Sequence, residues 1–372
     1  MLQATVNAAK WVSRSIGLTP IIKRWLYPAP TSSLPAETGP LPNAAPKSYE
    51  ARLLAEQQHF ADQSEVHDLP EIFHYWSNKY LRPKLEQFGF SDPDQFFVKY
   101  LEQTFAGDRI EQRKFISIGA GNCDTEVRLA KILIKAGWQN FTLECLDINA
   151  DMLARGDALA QAEKLQHHVV TRRLDFNQWQ ANREYDAVIA NQSLHHVVEL
   201  EKLFDAIAAA LKENGLFITS DMIGRNGHQR WPEALEIVHD FWQQLPEKYH
   251  YNHQLKRIEN PMENWDCSGE GFEGIRSQDI LPLLLQRFQF DLFIGYANVI
   301  DPFIDRSFGP NFDIGNPDDV AFIDRIHERD EVAIAAGAIT PTHMMAVMSH
   351  PIRGSCCKHA GLSPENSVRK PD

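Results

Sequence analysis

The stretch Phe115–Glu126, FISIGAGNCDTE, sets two glycines between an apolar run and an amphipathic one, with Asp124 where a dinucleotide fingerprint would place a third glycine. Such a turn brings backbone N–H groups close to a ligand at a helix start. An acid at the third position would repel a pyrophosphate, so NAD- and FAD-type chemistry loses its support. Alone, the two-glycine loop is equally a plain strand-to-helix turn. Asp147, in LECLDINADML, can accept from both hydroxyls of a ribose or serve as a turn acid, while Asn149 is the better cap for the next helix. Asp175, in RRLDFNQW, can accept from an adenine amino group with Phe176 over the ring, or be a turn residue. The run YDAVIANQSLHH delivers Asn191, Gln192, Ser193, His195 and His196 to a strand's carboxyl end, where parallel sheets bind ligands. One of those histidines can instead cap a helix or satisfy a buried carbonyl.

Residues at strand ends need a sheet to hold them. Strand-like runs fall at 114–118, 141–146, 168–174, 185–190 and 215–220, with helices near 124–136, 151–164 and 199–211 between them. That alternation predicts a doubly wound α/β domain with a parallel sheet. A further helix at 277–287 and strands near 289–299 and 343–348 follow. Ahead of the sheet, helical spacing appears around 49–60, 70–86 and 92–105. In LPEIFHYWSNKYLRPKL it puts Ile72, Phe73, Trp76 and Tyr80 on one packing face, with Tyr75, Asn78, Lys79 and Arg82 facing away toward the cleft as a cap. The predicted organisation is a flexible N-terminal segment and Pro-rich linker (1–47), a helical lead-in (48–112), a cofactor-binding core (113–221), a lid insertion (222–276), the C-terminal part of the core (277–350) and a disordered tail (351–372).

Composition narrows the class of function. A formal charge of −13 removes the electrostatic attraction that dominates nonspecific nucleic-acid binding. No apolar run approaches a membrane span, and the basic 1–27 segment has too weak an apolar face for an anchor. The 5 cysteines form neither a CxxC pair nor zinc spacing, so a reducing cytoplasm is expected.

In order and spacing, GAGNCD, Asp147, LDF, ANQSLHHV and KENGLFITSDM resemble the class I S-adenosylmethionine-dependent methyltransferases over residues 114–221. The resemblance implies a Rossmann-like, mostly parallel seven-stranded sheet with a reversed last strand, and S-adenosyl-L-methionine as cofactor. It implies that Gly119, Ala120 and Gly121 line the methionine half, Asp147 holds the ribose, and Asp175 and Phe176 frame the adenine. Asn122, Asp124, Ile148, Met152, Asn191 and Gln192 complete the cofactor-side candidates. Ser117 departs from the pattern, because the family most often has an acid there that meets the methionine ammonium; Asp124 or Glu126 could substitute. Asn191 is followed by Gln-Ser-Leu rather than Pro-Pro and an aromatic, unlike the enzymes that methylate base amino groups, and no metal-binding acid cluster is evident, so no metal is expected.

The insertion 222–276 exceeds ordinary connections and reads as a lid over the acceptor. Acceptor-side candidates are Asp221, Arg225, Asn226 and Arg230, with the segment 299–313 a second contributor. His195, His196 and His228 are the candidate bases for a hydroxyl acceptor. The expected function is methylation of an oxygen or nitrogen on a small-molecule or glycan-like acceptor. The alternative is an inactive, methyltransferase-like cofactor-binding or interaction protein.

Overall fold

Strands β1 (Arg113–Ile118) and β4 (Tyr185–Asn191) are buried at almost every position and carry the apolar runs Phe115–Ile116 and Ala187–Ala190, as central strands covered on both faces must. The computed structural model describes residues 48, 49, 51, 52, 69–107, 110–181, 184–269, 271–350, 354 and 357–370. The expectations for the basic N-terminal segment, the Pro-rich linker and most of the helix at 49–60 lie outside these residues. The other strands are β2 (Phe141–Asp147), β3 (Val169–Arg173), β5 (Leu211–Met222), the short β6 (Tyr251–Asn252) and β7 (Arg257–Ile258), then β8 (Gln289–Tyr296), β9 (His343–Ser349) and β10 (Lys358–His359).

The main sheet has the order β10-β8-β9-β5-β4-β1-β2-β3. From β3 to β5 every pairing is parallel, and β9 runs antiparallel to both β5 and β8. The reversed strand therefore sits where it was expected. The sheet has 8 strands rather than seven, because the tail contributes β10 alongside β8. The tail expected to be disordered also packs by side chains. Arg369 pairs with Glu233 at 2.8 Å and lies over the Trp231 ring.

Alternation along each strand divides the core in two. Phe115, Leu143, Ile189 and Ile218 face one side; Ile116, Ile118, Val188, Ala190 and Phe217 face the other. The first side is covered by α1 (Glu71–Trp76), α2 (Arg82–Glu86), α3 (Pro93–Thr104), α4 (Asp124–Lys135) and α5 (Ala150–Ala162). The second is covered by α6 (Leu200–Ala210) and by α8 (Ser277–Arg287), which lies beyond α7 (Pro232–Trp242) of the insertion. Phe217 is fully buried, and truncating it to Ala would cost about 3–5 kcal/mol.

One expectation about the lead-in is corrected. A π-helical turn, Ser77–Leu81, separates α1 from α2 and shifts the helix face. Tyr75, Tyr80 and Lys79 all reach Asp324 on α9 (Pro317–Ala335), at 2.8, 2.7 and 2.7 Å, so they tie two helices together instead of capping the cleft. Phe73 and Trp76 instead help to line a cavity.

Candidate active site

The carboxyl ends of β1, β2, β4 and β5 fall on one edge of the sheet, and the loops leaving them build the site. The β1 loop turns on Gly119 (φ +71°) and Gly121 (φ +55°), a backbone region that favours glycine. A Cβ on Gly119 would stand 2.5 Å from Ser193 Cβ, so the β1 and β4 loops approach as closely as the chain allows. Asp147 accepts from the backbone N–H groups of Gly121 (2.9 Å) and Asn149 (2.8 Å), one per oxygen. Met152 packs beneath Gly121, Ile148 offers its carbonyl to Arg173, and Asn122 accepts from Arg155, which ties the loop to α5. Asp124 opens α4. Asp175 accepts from Tyr49 (2.9 Å), whose ring meets Phe272 of the insertion; Arg52 donates to the carbonyls of Ser268 and Gly271. Phe176 is buried in the second core beside this end.

Ser117 has a partner that sequence reasoning named only as a possible substitute. Its hydroxyl donates to Glu126 Oε1 at 2.6 Å, and Glu126 is 2% exposed with Oε2 unpaired. Burial pushes the Glu126 carboxyl up to about 7 although Ser117 pulls it down. Nearby, Asn191 Oδ1 and both amide atoms of Gln192 are buried without partners. Buried polar atoms without partners are costly, and a group of them where three strands end is what a polar ligand with an ammonium, a carboxylate and hydroxyls would satisfy. S-Adenosylmethionine fits that description.

Beyond β4 the chain passes from this end to a second one. Asp221 Oδ2 accepts from the N–H groups of Ser193 and Leu194, and Oδ1 from Met222 N–H and His195 Nδ1 (2.7 Å). His195 Nε2 faces Glu273 Oε1 at 3.4 Å, His228 Nε2 meets the same oxygen at 2.5 Å, and His196 Nε2 lies 3.5 Å from Glu273 Oε2. Burial opposes charge on His195, but Asp221 and Glu273 outweigh it and lift its pKa to about 10. Burial lowers His228 despite the Glu273 bond. Burial also opposes charge on Glu273, yet His196 and His195 hold its carboxyl well below the usual range.

His228 and Glu273 form part of the wall of a cavity of about 210 Å³. Phe73, Trp76, Trp265 and Phe308 supply aromatic surface, and Asn252, Gln254 and Asn264 supply amides. The segment 299–313 contributes Asp301 and Asp305 through Phe308 to this wall. Arg230 also lines the cavity, paired with Asp301 at 2.9 Å.

Three acceptor-side candidates lie elsewhere. Asp221 is fully buried behind His195, with both oxygens taken by the chain. Arg225 turns to the Trp231 ring and the Arg230 carbonyl, and Asn226 exchanges hydrogen bonds with Gln278 at the start of α8. Glu273, the centre of the imidazole cluster, was not anticipated. Its segment, GEGFEGI, has no local pattern that singles it out.

Among the described residues, two groups of side chains come close enough to hold a metal ion: Cys123, Glu126 and Cys145, and His195, His228 and Glu273. In the first, the Cys145 thiol is raised far above normal by burial, and Cys123 is also raised, burial and nearby acids overriding the bond to Cys145 that lowers it. Thiols that stay protonated are poor ligands.

Residues 116–217 match the family described as a methyltransferase domain. No curated protein matches the chain. Among solved structures, geranyl diphosphate C-methyltransferase from Streptomyces coelicolor A3(2), in complex with Mg2+, geranyl diphosphate and S-adenosyl-L-homocysteine, is 12% identical over 82% of this chain and 99% of that one, with a TM-score of 0.43. A putative sarcosine dimethylglycine methyltransferase from Galdieria sulphuraria is 15% identical over 68% and 84%, with a TM-score of 0.39. No helix among the described residues is long and apolar enough to cross a membrane. The strand order with its reversed β9, the glycine loop with its unpaired polar neighbours, and the family match identify this as a class I methyltransferase domain, and the chain as an S-adenosylmethionine-dependent enzyme.

Proposed function

We propose that the enzyme methylates an oxygen of a small, hydroxyl-rich acceptor, glycan-like in its mix of flat apolar faces and hydroxyls, held in the cavity beside the insertion. The observation that carries this reading is continuity. The six residues from Asn191 to His196 begin at the unpaired polar group of the cofactor end and finish at Glu273, which is part of the cavity wall. A methyl group leaving one end would enter the other directly.

S-Adenosylmethionine supplies an electrophilic methyl on a sulfonium, and the protein's task is mainly alignment. The Gly119–Gly121 backbone would face the methionine half, and Glu126, steadied by Ser117, would take its ammonium. Asp147, at the end of β2, would take the ribose hydroxyls, and Asp175, held by Tyr49, would take the adenine end. On the acceptor side, Trp76, Trp265 and Phe308 offer faces for a sugar ring, while Asn252, Gln254 and Asn264 offer hydrogen bonds. The acceptor hydroxyl would lie against His228 and Glu273, through which its proton leaves; His195 and His196 stand behind and hold Glu273 in place.

The test is methyl-labelled cofactor offered with a panel of glycosides, polyols, phenols and amines, with products read by NMR. Label on an oxygen is expected. Transfer only to nitrogen or carbon would overturn the acceptor assignment, and absence of any binding to S-adenosylhomocysteine by calorimetry would overturn the assignment of the cofactor residues.

A further inference from the structure

Glu273 gathers three imidazoles, more than a methyl transfer needs. His195 is the most constrained. Its Nδ1 lies 2.7 Å from Asp221, whose carboxylate already accepts three backbone N–H groups, so Nδ1 is the donor and the ring is locked. That leaves Nε2 as the atom that either carries the ring's second proton, which Asp221 and Glu273 favour, or offers a lone pair to a metal ion in the proton's place. It is buried in a residue 1% exposed, has no hydrogen-bond partner, and faces Glu273 Oε1 at 3.4 Å. A lone pair set against a carboxylate away from water is repulsive, so a positive species belongs between them.

We propose that His195 Nε2, His228 Nε2 and Glu273 form a site for one divalent cation of borderline softness, Zn2+ foremost, with its open coordination toward the acceptor cavity. The donor atoms already lie within 4.8 Å of one another. Ligand bonds of about 2.1 Å in a tetrahedron separate donors by roughly 3.4 Å. The His195–Glu273 distance is 3.4 Å; His228, at 2.5 Å, would withdraw slightly. Two imidazoles and a carboxylate suit Zn2+ or its first-row neighbours, whereas Mg2+ and Ca2+ prefer all-oxygen sets. The surroundings are those of a metal-bound histidine: a carboxylate on the far ring nitrogen fixes tautomer and orientation, which is the position of Asp221. His196 steadies the second oxygen of Glu273. His228 and Glu273 face the cavity, so an acceptor hydroxyl would take an open position on the ion, which would acidify it, in place of handing its proton to His228 and Glu273 directly; this role, though not the site, rests on the oxygen-methylation reading.

The full-length protein is freed of metal with 1,10-phenanthroline, dialysed, and titrated with Co2+ and then Zn2+. One equivalent of Co2+ with visible ligand-field bands, displaced by Zn2+, is expected. Glu273→Gln and His195→Asn should each weaken Co2+ binding on the order of 100-fold or more. His343→Asn, whose ring lines the same cavity outside the ligand set, should keep one equivalent. Failure of the unmutated protein to take up either ion, leaving a proton alone at His195, overturns the site, as does unaltered uptake by a folded His195→Asn, Glu273→Gln double variant. Stoichiometric metal with methylation only of nitrogen or carbon upholds the site and removes the oxygen reading. Full oxygen methylation by protein that binds no cation does the reverse.

Discussion

The two ends of the site are built in opposite ways. At the end proposed for the cofactor, Ser117, Gly119, Gly121, Glu126, Asp147, Asp175, Asn191 and Gln192 come from one stretch of alternating strands and helices. At the end proposed for the acceptor, Phe73, Trp76, His228, Asn252, Glu273, Asp301 and His343 come from segments scattered across the chain. The first end is fixed by backbone geometry and tolerates little. The second is a wall of side chains, where single changes alter chemistry or fit without disturbing the frame.

Gly119→Val tests that contrast most severely. Its positive φ and the 2.5 Å approach to Ser193 leave no room for a side chain, so S-adenosylhomocysteine affinity should fall more than ~100-fold, about 3 kcal/mol, by calorimetry. Near-native affinity would mean that the cofactor end is as plastic as the cavity. Glu273→Gln should act the other way, lowering turnover roughly 100-fold while leaving that affinity within about threefold; a matching loss of affinity would merge the two ends. A smaller effect is linked to pH. Glu126 is raised to about 7 by burial in the free protein, and an ammonium beside it favours the carboxylate. Below pH 7 binding should therefore release a proton, and affinity should drop as pH falls, by at most about tenfold per unit. Calorimetry in two buffers of different ionisation enthalpy reads this directly, and Glu126→Gln should abolish it. The smallest change is expected from Arg369→Ala. Its partly exposed pair with Glu233 and its stacking on Trp231 contribute about 0–1 kcal/mol, so thermal stability should shift only slightly and cofactor affinity not at all.

The same contrast explains what the sequence made legible. Asp147, Asp175 and the Asn191–His196 run stand at strand ends, and a strand end is visible from local periodicity; the strand near 343–348 was visible the same way, while its reversal followed from the family resemblance. Glu273 has meaning only because three imidazoles from two other segments converge on it, and no local spacing records that. Asp221 was legible as a polar residue ending β5, but only burial shows that it serves His195 rather than the acceptor. Arg225 and Asn226 sit in the expected loop, but their side chains are taken by Trp231 and Gln278. The π turn that sends Tyr75 and Tyr80 to Asp324 leaves no compositional mark.

Gly227 and Gly274 give the insertion an unexpected freedom. Both have positive φ, and Gly227 N–H donates to Gly274 O at 2.8 Å; a Cβ on Gly227 would meet Asp266 Oδ1 at 1.9 Å. The two glycines clasp the insertion at its neck, one residue from His228 on one strand of chain and one from Glu273 on the other. The main chain thus sets the spacing of His228 and Glu273 at the neck. Because α7 beyond it belongs to the core through Ala234, Val238 and Trp242, the β6–β7 hairpin, with Tyr251 and Ile258 exposed, is the part of the insertion that can be reshaped while those two groups stay in register.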